Sequence, residues 1–250
     1  MKAVILAAGK GTRLRPYSEF MPKALMPIDV RNGSFRTIIE KLVDQISRAG
    51  IEDIIVVVNY RAEMIMTCLG DGTHLGVRIC YVMQSELDGN AGAFYRAQHL
   101  LGDEAVLVTD CDNDISDDEL FAVMRAEHER SGAHCTVGVC PVEEVQKFAI
   151  IKTDADGTPM DIFEKPKDRE EWGNLAKSGM MMFSSVLAQM DRAIARTESG
   201  EYTTTQIIKH CIDEKLSLAL HNIEGGFHDI GTWNEYLPIL GARLGSAGGQ

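Results

Sequence analysis

Residues 6–16, LAAGKGTRLRP, follow the apolar run Val4, Ile5, Leu6 and place Gly9, Gly11, the hydroxyl of Thr12 and the cations Lys10, Arg13 and Arg15 in one turn. A loop that only reverses the chain needs no such concentration of positive charge. Successive backbone N–H groups converge on an anion only where side chains leave room, and the glycines leave it. The turn therefore reads as a phosphate cradle. Two familiar phosphate signatures are excluded. Neither glycine begins the spacing G-x-x-x-x-G-K-[ST], and the dinucleotide fingerprint would need a glycine where Leu14 stands. AGKG alone would read equally well as a plain turn with solvated charges. The attached TRLRP and the later PKALMP (22–27) tip the reading towards an anionic ligand.

Other residues could do chemistry beside it. The run DCDND (110–114) ends an apolar strand pattern, and FHDIGT (227–232) puts Asp229 after an aromatic residue. Carboxylates at strand tips suit Mg²⁺, which takes one or two of them together with phosphates and water. Taken singly, each aspartate reads more simply as a cap. Asp112 is a candidate outer-shell group, and Asp114 reads as a loop or helix-cap residue. Gln84 carries an amide that both donates and accepts.

The elements that must position these groups follow from periodicity. Residues 2–6, 53–59, 77–83 and 105–109 read as strands. Residues 37–49, 61–69 and 91–100 read as helices, and Ser116-x-x-Glu119 reads as a capping box opening a helix to about Arg130. This alternation implies an α/β fold with a mixed or parallel sheet wrapped by helices. The second half reads as short strands at 135–140, 149–152, 159–163 and 178–183, with a turn at 154–157. Helices follow at 186–195 and 203–212, then a strand at 217–220 and a last helix from Trp233. No repeat or linker divides the chain. We expect a single domain over 1–243, with halves of about 1–115 and 116–243, and a frayed tail at 244–250.

The 250 residues are enough for a sizeable core. The net charge of −12 excludes bulk nucleic-acid binding, which needs a basic face. Against that acidity, Lys10, Arg13, Arg15 and Lys23 cluster, as suits a small anion. No run approaches the roughly 18 apolar residues of a membrane span, and the N-terminus is too short before its first strand to read as a secretory signal. The six cysteines form no C-x-x-C pair and read as reduced core thiols of a cytoplasmic protein.

LAAGKGTRLRPYSEFMPKALMPI resembles the signature of the sugar-1-phosphate nucleotidylyltransferases, which make NDP-sugars from an NTP and a sugar 1-phosphate. The segments at 69–94, FEKP (163–166) and FHDIGT resemble further motifs of that family. The likeness runs from Met1 to about Tyr236 and is close to the short glucose-1-phosphate thymidylyltransferase-like members. It implies a Rossmann-like three-layer α/β/α fold with a mixed central sheet (GT-A-like). It also implies a nucleotide site at Ala8, Gly9, Gly11, Thr12, Arg13, Gln84 and Gly89. Arg13 would bind the triphosphate, Lys23 the α-phosphate and Lys165 the sugar phosphate, these three carrying catalysis. Glu164 and Gly179 would meet the sugar, and Asp110 and Asp229 would hold Mg²⁺.

The partners implied are NTP and sugar 1-phosphate, with no nucleic acid and no membrane; a homo-oligomer is compatible. Gln84 and Gly89 match readers of uracil or thymine, so dTTP or UTP is the expected donor. The sequence departs from the family at Thr109, Ala149 and Gln206, where relatives carry glycine, glycine and an acid. Two alternatives stay open: a cytidylyltransferase acting on phosphocholine or a phosphonate, to which TDCDN bears a faint likeness, and a non-catalytic nucleotide-sugar sensor.

Overall fold

The structure is a computed structural model that describes residues 1–31, 34–225 and 227–247. The first strand, β1 (Lys2–Ala7), runs into three short 3₁₀ turns, Thr12–Leu14, Tyr17–Glu19 and Lys23–Leu25. Then come β2 (Pro27–Arg31), β3 (Ser34–Thr37), α1 (Ile38–Arg48), β4 (Asp53–Val58), α2 (Ala62–Leu69), β5 (Arg78–Met83), α3 (Asn90–Ala97), β6 (Val106–Asp110), β7 (Asn113–Ile115) and α4 (Leu120–Ser131). The second half holds β8 (Cys135–Pro141), β9 (Ala149–Thr153), β10 (Pro159–Glu164), α5 (Arg169–Trp172), β11 (Leu175–Phe183), α6 (Ser185–Ala188), α7 (Thr204–Asp213), β12 (Leu218–Asn222), β13 (Phe227–Asp229) and α8 (Trp233–Ala247).

Among the described residues, the main sheet has nine strands in the order β10-β9-β11-β6-β1-β4-β5, with β8 joining β11 to β12. β1 lies parallel to β4 and β6, and β4 parallel to β5. β11 runs antiparallel to β6 and stitches the second half onto the first. The sheet is therefore mixed, and the four parallel strands present their carboxyl ends at one edge. That edge carries the glycine turn after β1, Gln84 after β5 and Asp110 at the end of β6. Ligands of open α/β sheets bind at such an edge.

Side chains alternate along the parallel strands and both faces are covered. Ala3, Ile5, Ala7, Ile54 and Val56 pack with Ile39, Leu42, Val43 and Ile46 of α1, Ile65 of α2 and Phe121 and Met124 of α4. Val4, Leu6, Ile55 and Val57 pack on the other face with Phe94 of α3 and Ile207, Ile208 and Cys211 of α7. This is the expected three-layer arrangement, and double coverage explains why strands such as DIIVVV are apolar throughout. Met180 and Met182 join the first of these clusters and Met181 the second.

Several local expectations change. Ser116 and Glu119 form no capping box. α4 starts at Leu120 without a side-chain cap, and Asp117 instead accepts the Glu119 N–H at 2.8 Å. The expected helix 186–195 is two pieces, α6 and a 3₁₀ turn over Arg192–Ala195, because Asp191 takes an extended conformation and caps Ala193. Asp114 is neither loop nor cap: it lies in β7, buried, bound by Lys41 at 2.6 Å and by Arg243 at 2.9 and 2.6 Å. Four cysteines are buried, but Cys80 is exposed and Cys68 half-buried. α8 continues through Ala247, so a tail beginning at 244 starts inside the helix; residues 248–250 lie outside the described residues. Among the described residues, no helix is long and apolar enough to cross a membrane.

Candidate active site

The glycine turn is fixed from below. The N–H of Leu14 donates to the carbonyl of Gly11 at 2.9 Å, and the Leu14 side chain is buried with Met26, Ile28, Ile230 and Tyr236. Trp233 at the start of α8 donates its ring N–H to the carbonyl of Arg15 at 3.1 Å, and the Tyr236 hydroxyl donates to the carbonyl of Pro27 at 2.6 Å. The C-terminal helix thus clasps the N-terminal loop while Thr12 and Arg13 stay exposed. The turn opens into a cavity of about 410 Å³. Ala8, Gly9, Gly11, Thr12, Arg13, Lys23, Gln84 and Gly89 all line it, and Asp110 and Asp112 form one side.

At the far end of that cavity the Gln84 side chain is buried. Its amide nitrogen donates to Asp88 at 2.9 Å and to the carbonyl of Gly89 at 3.0 Å. Both partners are pure acceptors, so the orientation of the amide is set and its oxygen remains as an acceptor. Gly89 has φ +106°, and a Cβ there would lie 2.0 Å from the carbonyl oxygen of Tyr202. Only glycine fits between Gln84 and the chain leading into α7.

A smaller cavity of about 180 Å³ shares Asp110, Asp112 and Asn90 with the first, and Glu164, Gly179, Lys177 and Asp229 line it. Glu164 ends β10 and accepts the Thr205 hydroxyl at 2.6 Å. Ala149 pairs with it in the sheet and also lines the cavity. A Cβ on Gly179 would meet the carboxylate of Asp110 and the amide nitrogen of Asn113, both at 2.5 Å. The bare backbone at 179 therefore makes room first for Asp110 and Asn113. Lys165 is exposed, with φ +53°, and shares a third cavity of about 550 Å³ with Arg13 and Asp229.

The acidic groups meet between these cavities. Asp110 ends β6, while β13 pairs with β7 and sets Asp229 opposite Asn113. Thr109 sits in regular extended register with Met180 and Ile5, so the missing glycine does not disturb the strand tip. Burial, and then the neighbouring charge of Asp112, push the Asp110 carboxyl up to about 7 and Asp229 up to about 6. Lys177 and Lys23 oppose the shift at Asp110, and Lys23 and Arg13 oppose it at Asp229. Lys23 is paired with Asp112. Burial lowers the pKa of its ammonium, but the carboxylates around it, Asp112 foremost, leave it raised.

Every residue expected at the site thus lines one of three adjoining cavities. The sequence reading missed Asn113, Lys147 and Lys177. Lys177 had a signal, a lone charge inside the strand pattern LAKSGMMMF. Asn113 and Lys147 had none, because the β7–β13 ribbon and the 3₁₀ turn at Val145–Lys147 that place them carry no periodicity.

The nucleotidyl transferase family model matches residues 2–242. The chain is 30% identical over 232 residues to a low-salt glycan biosynthesis nucleotidyltransferase of Haloferax volcanii, covering 92% of this chain and 62% of that protein. It is 29% identical to a UTP–glucose-1-phosphate uridylyltransferase of the same organism, covering 92% and 91% of the two chains. A glucose-1-phosphate thymidylyltransferase of Streptomyces antibioticus is 30% identical, with 96% of this chain and 65% of that protein covered. The chain therefore spans under two thirds of the length of the first and third of these relatives. The solved structure of a putative glucose-1-phosphate thymidylyltransferase from Bacillus anthracis superposes with a TM-score of 0.84 at 23% identity, covering 97% of this chain and 95% of that one. A UDP-glucose pyrophosphorylase structure superposes with a TM-score of 0.83 at 20% identity, covering 98% of both chains. These two show the shared fold. With its motifs, its mixed three-layer sheet and a family match over nearly its whole length, this chain belongs to the nucleotidyl transferase family.

Proposed function

We propose that this protein transfers the nucleotidyl group of a pyrimidine NTP to a sugar 1-phosphate, releasing pyrophosphate. The observation that carries this reading is the shared wall: the cavity of the glycine turn and the cavity of Glu164 and Gly179 meet at Asp110 and Asp112. Two substrates seated in them would bring their phosphates together beside Lys23 and Asp229.

An oxygen of the sugar phosphate attacks the α-phosphorus, the bond to the bridging oxygen of the β-phosphate breaks, and pyrophosphate carries away the charge. The attacking phosphate is already ionised near neutral pH, so the site needs no strong base. It needs cations and alignment for two polyanions. Arg13, with Thr12 and the backbone of Ala8, Gly9 and Gly11, holds the triphosphate. Lys23 serves the α-phosphate, with Asp112 fixing its ammonium. Lys165, in the cavity it shares with Arg13, serves the sugar phosphate, and Glu164 accepts hydroxyl hydrogen bonds from the sugar. The free oxygen of Gln84 suits the ring N–H of uracil or thymine.

The donor set of Asp110 and Asp229 fits Mg²⁺. Both are hard oxygen ligands, and both carry carboxyls whose raised pKa values report crowded negative charge that a cation would relieve. When bound, the ion neutralises phosphate charge in the transition state.

Pyrophosphate release from dTTP, UTP, CTP, ATP and GTP against a panel of sugar 1-phosphates and phosphocholine tests the reading. Release with dTTP or UTP and a hexose 1-phosphate is expected. Preference for CTP with phosphocholine, or nucleotide binding without turnover, would overturn it.

A further inference from the structure

The turn between β13 and α8 bears directly on Arg13. A Cβ built on Gly231 would lie 2.8 Å from one terminal nitrogen of Arg13 and 2.9 Å from Cζ and the other nitrogen. The guanidinium therefore rests on the bare backbone of Gly231. Among the described residues it makes no hydrogen bond or ion pair within the protein, and it lies at the edge of two cavities with the charge of Asp229 nearby.

The turn itself is held rigidly. Glu235 accepts the Gly231 N–H at 3.1 Å and the Thr232 hydroxyl at 2.9 Å. The N–H of Ile230 donates to the carbonyl of Asp112 at 2.9 Å, and the Ile230 side chain is buried beside Leu14. On the other side, Trp233 binds the carbonyl of Arg15 and meets Tyr17 edge to face at 6.2 Å. One turn thus grips the chain just after Arg13, at Leu14, Arg15 and Tyr17, and also supports its side chain.

We propose that Gly231 and Glu235 are positioning residues for Arg13: Gly231 is the platform on which the guanidinium lies, and Glu235 holds the platform in place. The inference rests on the reading that Arg13 binds the triphosphate. Gly231 has no positive φ, so alanine suits its backbone. The added methyl must push the guanidinium outward, because non-bonded heavy atoms settle at about 3.5–4.0 Å. The displaced atoms are the far end of a flexible side chain, so the fold is kept while the charge moves.

The test is equilibrium binding of dTTP and UTP, with magnesium chloride, measured by calorimetry. Arg13→Ala removes charge-assisted phosphate contacts and should weaken binding roughly ten- to hundredfold. Gly231→Ala should weaken it by about tenfold at an unchanged melting temperature. The double variant should bind no more weakly than Arg13→Ala, within about twofold, because both changes act through one group. Glu235→Ala should repeat this pattern, and Glu235→Gln, which keeps an acceptor oxygen, should recover most of the affinity. Should Gly231→Ala fail to fold, the cycle of Glu235→Ala with Arg13→Ala decides the question. Wild-type affinity in Gly231→Ala, or losses that multiply in the double variants, would overturn the positioning role while leaving the proposed function standing. A wild-type protein that binds neither nucleotide would overturn both.

Discussion

Asp110→Asn should make the metal-free protein more stable while removing its activity. Among the described residues, the Asp110 carboxylate makes no hydrogen bond. Asparagine keeps its shape and loses only its charge. Burial and the charge of Asp112 lift this carboxyl from 3.8 to about 7. Between those values the folded state binds more protons than the unfolded state, so stability falls as pH rises through that window. The cost of the ionised group is complete only above about pH 7. At about 1.36 kcal/mol per pH step, the lift corresponds to a ceiling of about 4 kcal/mol. Relaxation of the crowded Asp112 and Asp229 reduces what is measured. We expect the Asn variant to gain about 1–3 kcal/mol over the native protein at pH 8 in EDTA, and almost nothing at pH 4. Urea denaturation at the two pH values reads this directly. Pyrophosphate release with magnesium should fall at least about a hundredfold in the same variant, since a bound ion is worth several kcal/mol in the transition state. An Asn variant destabilised equally at both pH values would show that Asp110 is a structural residue. Near-native turnover would remove it from the metal site.

Asp114→Asn should destabilise the fold by about 3–5 kcal/mol, because buried Lys41 loses its carboxylate and half-buried Arg243 loses the one it binds at 2.6 Å. Lys41→Met should cost less, since Arg243 still holds Asp114 through two hydrogen bonds; urea midpoints that reverse this order would refute the account. Gly89→Ala should lower the melting temperature and cost about 2 kcal/mol or more, from strain at its positive φ and the clash with the Tyr202 carbonyl. Gly9→Ala, whose Cβ would meet nothing within 4 Å, should leave melting unchanged, and equal effects at the two glycines would count against this reasoning.

Much of the site was legible in the sequence because its parts are local. A strand, a glycine turn and a cation are consecutive in LAAGKGTRLRP, and one turn of backbone can build a phosphate cradle without help from elsewhere. The tips of β1 and β6 were legible for the same reason: an apolar run covered on both faces stops where the polar residues of the cleft begin. What the sequence could not contain was which tips meet. Asp110 and Asp229 are brought together by a ribbon of two three-residue strands, β7 and β13, too short to leave a periodic signal. Asp114 read as a cap because its partners, Lys41 and Arg243, lie 73 and 129 positions away. Only the packing of α1 and α8 against β7 makes it a buried ion pair. Gly231 was legible as part of a motif but not as a platform, since the side chain resting on it belongs to the opposite end of the chain. Local chemistry was written in consecutive residues, whereas the burial that shifts the carboxylates and the contact that places Arg13 arise only when distant segments exclude water together.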